Sequence, residues 1–194
     1  MTPVQLLRLL SEHLEKQHFR YAVCGGIAAS IYRTTFRLTN DLDIAVGALH
    51  GDQQMSEQEL ITDFLDQLGI KHALGWIPNI AHGTESNVFT VIGELGGNLP
   101  TVDFLLPRMP WVDGAVVRAQ SNAIDFGFGF VPTVTPEDLI VSKVFALAHE
   151  PKRITDIDDI RSILKSETPV DKLIIGERLQ RMGLSWDPAE FDVG

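Results

Sequence analysis

Apolar residues recur along the chain with two periods, and the change from one to the other divides it. Near the N-terminus "VQLLRLLSEHL" follows Thr2 and Pro3, which suit an N-cap and a first helical position, with Leu6, Leu9, Leu10 and Leu14 as an apolar stripe. "RYAVCGG" reads as a short strand ending in glycines, "IAASIYR" as the start of a second helix, and "NDLDIAVGA" as a strand of period two. "MSEQELITDFLDQLGI" carries a Ser56-x-x-Glu59 capping box and apolar Leu60, Ile61, Phe64, Leu65 and Leu68, a helix that Gly69 ends. From Ser86 the strand period returns in "NVFTVIGEL", "TVDFLLP" and "AIDFGFGFVPTV", the last with Phe126, Phe128 and Phe130 on one face. After Thr135 the pattern is helical again: "PEDLIVSKVFALAHE", "ITDIDDIRSILK", and "PVDKLIIGERLQRMG" capped by Thr168. The expectation is an α/β (α+β) fold, a mixed sheet packed with helices over residues 1–134, followed by a helical part over 135–194 packed on that core.

Composition narrows the function. With 194 residues, 44% of them hydrophobic, the chain can form one substantial core. No apolar run reaches the roughly 20 residues that cross a bilayer, and the N-terminal segment mixes acids and bases, so the expected location is the cytoplasm, with no membrane partner. One cysteine, Cys24, sits in an apolar run and reads as a small buried hydrophobe. A net charge of -10 argues against a protein that coats nucleic acid. It leaves room for a local basic site: residues 1–40 hold five Lys/Arg against two Asp/Glu, whereas residues 41–70 hold seven acids.

Candidate chemistry lies in "VCGGIAASIYRTTFRLTNDLDIAV". Asp41 and Asp43 stand at i and i+2 of a strand, so both carboxylates project to one side, about 6 to 7 Å apart. Two such anions call for a cation, and hard Mg²⁺ takes carboxylate oxygen while leaving room for substrate phosphates; the plain alternative is a pair of acids facing water on an edge strand. Gly25-Gly26 before a helix offers backbone N–H groups and a helix dipole to a phosphate. Asp103, between apolar residues of a later strand, is costly to bury without a partner; a metal site shared with Asp41 and Asp43 explains it, as does a place at an exposed strand end.

These residues resemble the signature of the polymerase-beta-type nucleotidyltransferase superfamily: a glycine pair, a helix, Asp-h-Asp-h, then a later h-Asp-h strand. The resemblance maps Asp41, Asp43 and Asp103 onto its three metal-binding carboxylates and implies Mg²⁺ or Mn²⁺ as cofactor with an NTP as substrate. Gly26 stands where many members carry serine, which leaves the backbone to hold the phosphates. "TPEDLIVSKVFALAHEPKRITDIDDI" is similar to the corresponding region of AbiEii-type nucleotidyltransferases, the toxin side of certain toxin–antitoxin systems, and places Lys143, Arg153, Asp156 and Asp159 at its Lys, basic and Asp-x-x-Asp positions. "R-x-T-x-D-x-D" is realised as Arg37, Thr39, Asp41 and Asp43. The implied site has Asp41, Asp43, Asp103 and Lys143 as catalytic residues, and Gly25, Gly26, Arg37, Thr39, Lys143, Arg153 and Asp156 around the nucleotide.

Each assignment has a plainer counterpart: Lys143 as a helix-flank lysine with its amine in water, Asp156 and Asp159 as acids suited to the start of a helix, and Arg33 and Arg37 as surface charges. His149 and the other histidines show no ligand spacing. The resemblance implies NMP transfer from an NTP to a hydroxyl, with an RNA 3′ end, tRNA by implication, as acceptor and a cognate antitoxin as partner; the N-terminal helix and the Lys152-Arg153 turn are candidate RNA-backbone contacts. The alternatives are transfer to an aminoglycoside-type small molecule, drawn by the acidic surface, and a non-catalytic nucleotide- or partner-binding module.

Overall fold

A computed structural model describes residues 1–49, 55–76, 88–97 and 99–191. Thr2 caps the first helix, α1 (Pro3–Lys16), in a full capping box with Gln5. Its buried face is Leu6, Leu7, Leu10 and Leu14; Leu9, expected in the stripe, is 47% exposed, because the 100° step per residue brings Leu7 to the inner face in its place. The remaining core elements follow as β1 (Tyr21–Val23), α2 (Gly25–Tyr32), β2 (Asp41–Val46), α3 (Glu57–Gln67), β3 (Lys71–Gly75), β4 (Thr90–Glu94), β5 (Thr101–Leu105) and α4 (Val112–Ala119). The capping box of Ser56 and Glu59 opens α3, and Gly69, with φ +67°, follows its end.

Five strands form one mixed sheet in the order β1-β2-β5-β4-β3. β2 and β5 are parallel; the other neighbours are antiparallel. Strand alternation sorts the side chains into two layers. Leu42, Ile44, Val102 and Phe104 point to the side covered by α1 and α3. Ala45 and Leu105 point to the other side, where they join α2, α4 and the later helices. Asp41, Asp43 and Asp103 have the parity of Ala45 and Leu105, so the carboxylates lie on the face opposite α1. The N-terminal helix, expected as an RNA contact, is therefore on the far side of the sheet from them.

The aromatic segment "AIDFGFGFVPTV" is a hairpin and not one strand: β6 (Ala123–Asp125) pairs with β7 (Phe130–Pro132) across a turn in which Gly127 and Gly129 have positive φ. Phe126 and Phe128 fall in the turn and pack on the core, while Phe130 is 72% exposed, so the three do not share a face. Ser86 and Asn87 of the expected preceding strand lie outside the described residues.

Three helices complete the chain: α5 (Pro136–His149), α6 (Ile154–Leu164) and α7 (Lys172–Arg181). Leu139, Ile140, Ile160, Ile163, Ile175 and Leu179 join Ala28, Ala29, Val112 and Ala115 in a single apolar cluster, so these helices bury their inner faces against α2 and α4. The cap of α7 is Asp171, whose carboxylate accepts from the Leu173 and Ile174 N–H groups, and not Thr168, because Pro169 keeps the chain at Thr168 extended. Among the described residues no helix is long and apolar enough to cross a membrane.

Candidate active site

The β1–α2 junction shapes the site. The Cys24 N–H donates to the Asp43 carbonyl (3.0 Å), which sets the start of α2 against β2. Gly25 has φ +58°, and a Cβ there would fall 1.8 Å from Asp43 Oδ2; only glycine satisfies both the backbone and the space. The Gly26 N–H donates to Asp43 Oδ2 (3.3 Å), and a Cβ on Gly26 would come within 2.8 Å of Thr39 Oγ1. The glycine pair thus makes room for a carboxylate and a threonine, and one N–H expected at a phosphate serves Asp43 instead.

Parallel pairing of β2 and β5 sets Asp43 opposite Asp103, and Asp41 opposite Thr101. Asp41, at the strand's exposed start, accepts a hydrogen bond at Oδ1 from the Thr101 hydroxyl (3.1 Å). Asp103 Oδ1 is buried and has no hydrogen-bond partner. Burial, then the charges of Asp43 and Asp41, push the Asp103 carboxyl up to about 7. Burial also raises Asp43, an effect offset by the Gly26 N–H and Lys143, reinforced by Asp41 and opposed by Arg153. An orphaned carboxylate oxygen beside a second carboxylate is a donor set suited to a hard divalent cation. Among the described residues, no group of three or more His, Cys, Asp or Glu is arranged to hold a metal ion: Asp43 and Asp103 face each other, while Asp41 turns to Thr101.

A second constellation lies behind the first. Lys143, expected to reach out from a helix flank, has a side chain only 6% exposed; its Nζ is 2.7 Å from Asp156 Oδ1 and 2.7 Å from Asp159 Oδ2. Neither a flank lysine with its amine in water nor a free charge in the cleft describes it. Asp159, fully buried, also takes Arg37 Nη1 at 2.7 Å and the Arg33 guanidinium, which reaches Asp158 at 2.7 Å with its other nitrogen. Asp156 is held by Arg153 as well. Its carboxyl is lowered: burial, the largest influence, opposes the ionised form, but Lys143 and Arg153 outweigh it. Asp156 stands in the first turn of α6, where the helix dipole favours an acid, but both acids are buried on cationic partners, which the dipole alone does not explain. Four cations, from the C-cap of α2, the following loop, α5 and the α5–α6 turn, converge on three acids of α6. Arg33 and Asp158 were not among the expected site residues.

Between the two constellations runs a cleft of about 420 Å³, lined among others by Asp43, Asp103, Trp76, Phe145, His149 and Arg153. The carboxylates form its floor, α5 one wall, and the half-exposed Arg153 closes the side toward α6. His149 packs on Phe145 with ring centroids 4.5 Å apart, and its Nδ1 donates to the Phe145 carbonyl (2.8 Å). Trp76 and Met109 escaped sequence reading, since an isolated aromatic or thioether residue between elements carries no period. Of the expected residues, the structure brings Asp43, Asp103 and Arg153 to this cleft, holds Gly25, Gly26 and Thr39 behind Asp43, and places Lys143, Asp156 and Arg37 in the buried ion-pair network.

A mixed sheet with Asp-x-Asp on one strand, a third aspartate on its parallel neighbour and a glycine turn against the first strand defines a nucleotidyltransferase. The family model described as nucleotidyl transferase AbiEii toxin, type IV TA system, matches residues 5–185, and the chain belongs to that family of toxin–antitoxin nucleotidyltransferases. The fold is similar to that of an antigenic nucleotidyltransferase-like protein from Paracoccidioides brasiliensis, with a TM-score of 0.56 at 17% identity over 93% of this chain and 86% of that one. It also matches the antibiotic-resistance factor ANT(2'')-Ia, with a TM-score of 0.49 at 16% identity over 82% of this chain and 81% of that one. A comparison with curated proteins finds no match.

Proposed function

We propose that the protein transfers an NMP from an NTP to the 3′-hydroxyl of an RNA, a tRNA end, as an AbiEii-like toxin restrained by a cognate antitoxin protein. The observation that carries the catalytic part is the orphaned Asp103 Oδ1 facing Asp43 across the β2–β5 register at the floor of the cleft. Asp43 and Asp103, with Asp41 turned from Thr101 toward them, would hold Mg²⁺ or Mn²⁺, which would supply Lewis-acid charge to the acceptor hydroxyl and the departing pyrophosphate. The acceptor oxygen forms a bond to the α-phosphorus, the bond from that phosphorus to the β-phosphate oxygen breaks, and pyrophosphate leaves. Asp103, on the floor of the cleft beside Asp43, takes the hydroxyl proton.

Arg153 provides the positive charge toward the triphosphate, since about half of its side chain is exposed at the cleft. Lys143 acts through others as a positioning residue: it fixes Asp156, which orients Arg153. Arg37 ties the α2–β2 loop to Asp159 and so holds Thr39 and the start of β2 in place. The RNA acceptor and the antitoxin rest on membership of a toxin family.

The test is incubation of the protein with each labelled NTP and Mg²⁺ in the presence of total tRNA, an aminoglycoside mixture, or a bacterial protein extract. Label on tRNA that vanishes when the RNA 3′ end is first oxidised by periodate supports the proposal. Label on the aminoglycoside or protein alone refutes the RNA acceptor, and no label in any arm refutes the catalytic reading.

A further inference from the structure

On the far side of Trp111 from the catalytic cleft lies a second pocket, of about 230 Å³, lined among others by Gly114, Arg118, Asp138, Arg178 and Arg181. Trp111 lines both cavities, and on α5 Val141 borders one and Ser142 the other, so the two adjoin. Asp138 is buried in the first turn of α5, where the Thr135 hydroxyl donates to its Oδ2 at 3.2 Å. Arg118 of α4 grips it with two prongs, Nε to Oδ2 at 2.8 Å and Nη2 to Oδ1 at 2.7 Å, and Arg178 of α7 adds Nη1 to Oδ1 at 2.6 Å. One carboxylate therefore fixes two guanidinium groups. Arg181, one turn on, has a side chain 78% exposed and touches Glu177 only at 4.0 Å.

Three arginines and one aspartate line the pocket, with Glu137 acting on Arg178 and Glu177 at 4.0 Å from Arg181. Burial, foremost, and the nearby Arg118 pull the Arg178 pKa down against the opposing pull of Asp138, with Glu137 adding to the latter. Gly114 lets the Arg118 guanidinium lie against α4: a Cβ there would come within 3.1 Å of Arg118 Nη1 and 3.2 Å of Nη2. Two guanidinium groups fixed on one buried carboxylate, with the exposed Arg181 beside them, suit an oxyanion.

The geometry points to this pocket as a phosphodiester-binding subsite for the RNA acceptor, holding a backbone phosphate of the strand whose 3′ end lies in the adjoining cleft. The inference rests on the proposed RNA acceptor. It moves the expected backbone contact away from α1, which is across the sheet, and from Arg153, which the proposed reaction turns toward the triphosphate. Adjacency to the cleft across Trp111 favours RNA over an acidic segment of a protein, which has no need to adjoin the carboxylates.

The experiment measures affinity and transfer separately. Binding of a labelled RNA hairpin with a single-stranded 3′ overhang is titrated over a range of salt for the wild type, Arg181→Glu, and Arg8→Glu, an exposed arginine on the far-side helix that carries the same charge change. The subsite predicts about tenfold weaker binding and a salt slope smaller by about 1 for Arg181→Glu, with Arg8→Glu near the wild type. A neutral methylphosphonate at one overhang linkage should reproduce the loss in the wild type and add little to it in Arg181→Glu. Equal losses in the two variants, or methylphosphonate effects that add in full at every linkage, overturn the subsite while labelling of tRNA by the wild type keeps the acceptor reading. Pocket-dependent binding without labelling does the reverse. A wild type that binds no RNA overturns both, and unaltered RNA binding with loss of an oligo-glutamate peptide in Arg181→Glu assigns the pocket to protein and overturns the proposal.

Discussion

Lys143 and Asp159 meet at 2.7 Å inside the protein, joined by Asp156 on one side and by Arg33 and Arg37 on the other. The pair links α5 to α6, and through the arginines to the end of α2 and the loop that leads into β2. Removing one partner of a buried pair leaves a charge with less compensation than it needs, a loss of about 3 kcal/mol or more. Lys143→Ala should therefore lower the urea midpoint sharply with a similar m-value, as well as reducing transfer. An unchanged midpoint would mean that the other cations satisfy both acids without it.

The same network sets an acid limit. The Asp156 carboxyl is held below its ordinary value in the folded protein, so its contribution is fully present above the unfolded pKa of about 4 and is lost as pH falls through the lower folded value. Asp156→Asn should be less stable than the wild type at pH 7, and the gap should narrow on acidification below pH 4. Stability curves that stay parallel from pH 7 to pH 3 would remove Asp156 from the acid-sensitive set.

Gly25 is tested by adding one methyl group. Gly25→Ala forces a left-handed backbone and a clash with the Asp43 carboxylate, a cost of about 2 kcal/mol or more, with loss of transfer. In a double-mutant cycle Asp43→Ala should recover the clash part of that stability and none of the activity. Additive stability losses would show that the carboxylate does not occupy the space that Gly25 leaves.

Much of this site was legible because charge interrupted a pattern. Asp41 and Asp43 break an otherwise apolar strand at period two, and Asp103 does the same in a second strand; the register that sets Asp43 against Asp103 then follows from strand pairing. The AbiEii-type assignment, read from the Lys143, Arg153, Asp156 and Asp159 spacing beside these aspartates, is borne out by the match over residues 5–185. Local signals also served the N-cap at Thr2 and the capping box at Ser56, where the cap and its partner are three residues apart. What stayed hidden depends on distance in sequence. Lys143 reads as a flank lysine because its stripe neighbours are apolar, and its acids come from another helix. α4, "VDGAVVRA", mixes glycine with β-branched residues and signals neither period strongly, while β3 is a short strand with no apolar alternation. The hairpin at Phe126–Phe130 imitates a strand because its glycines fall on the alternate positions.

The central claim, metal-dependent nucleotidyl transfer on the face carrying Asp43 and Asp103, is tested most directly by labelled NMP incorporation into total tRNA by wild type, Asp43→Asn and Asp103→Asn, with Mg²⁺ or with EDTA. The account predicts incorporation by the wild type with Mg²⁺ alone, a fall of at least about 10³-fold in either variant, and a melting temperature that Mg²⁺ raises in the wild type but not in Asp43→Asn. Incorporation that survives EDTA, or variants that label RNA at the wild-type rate, would contradict it.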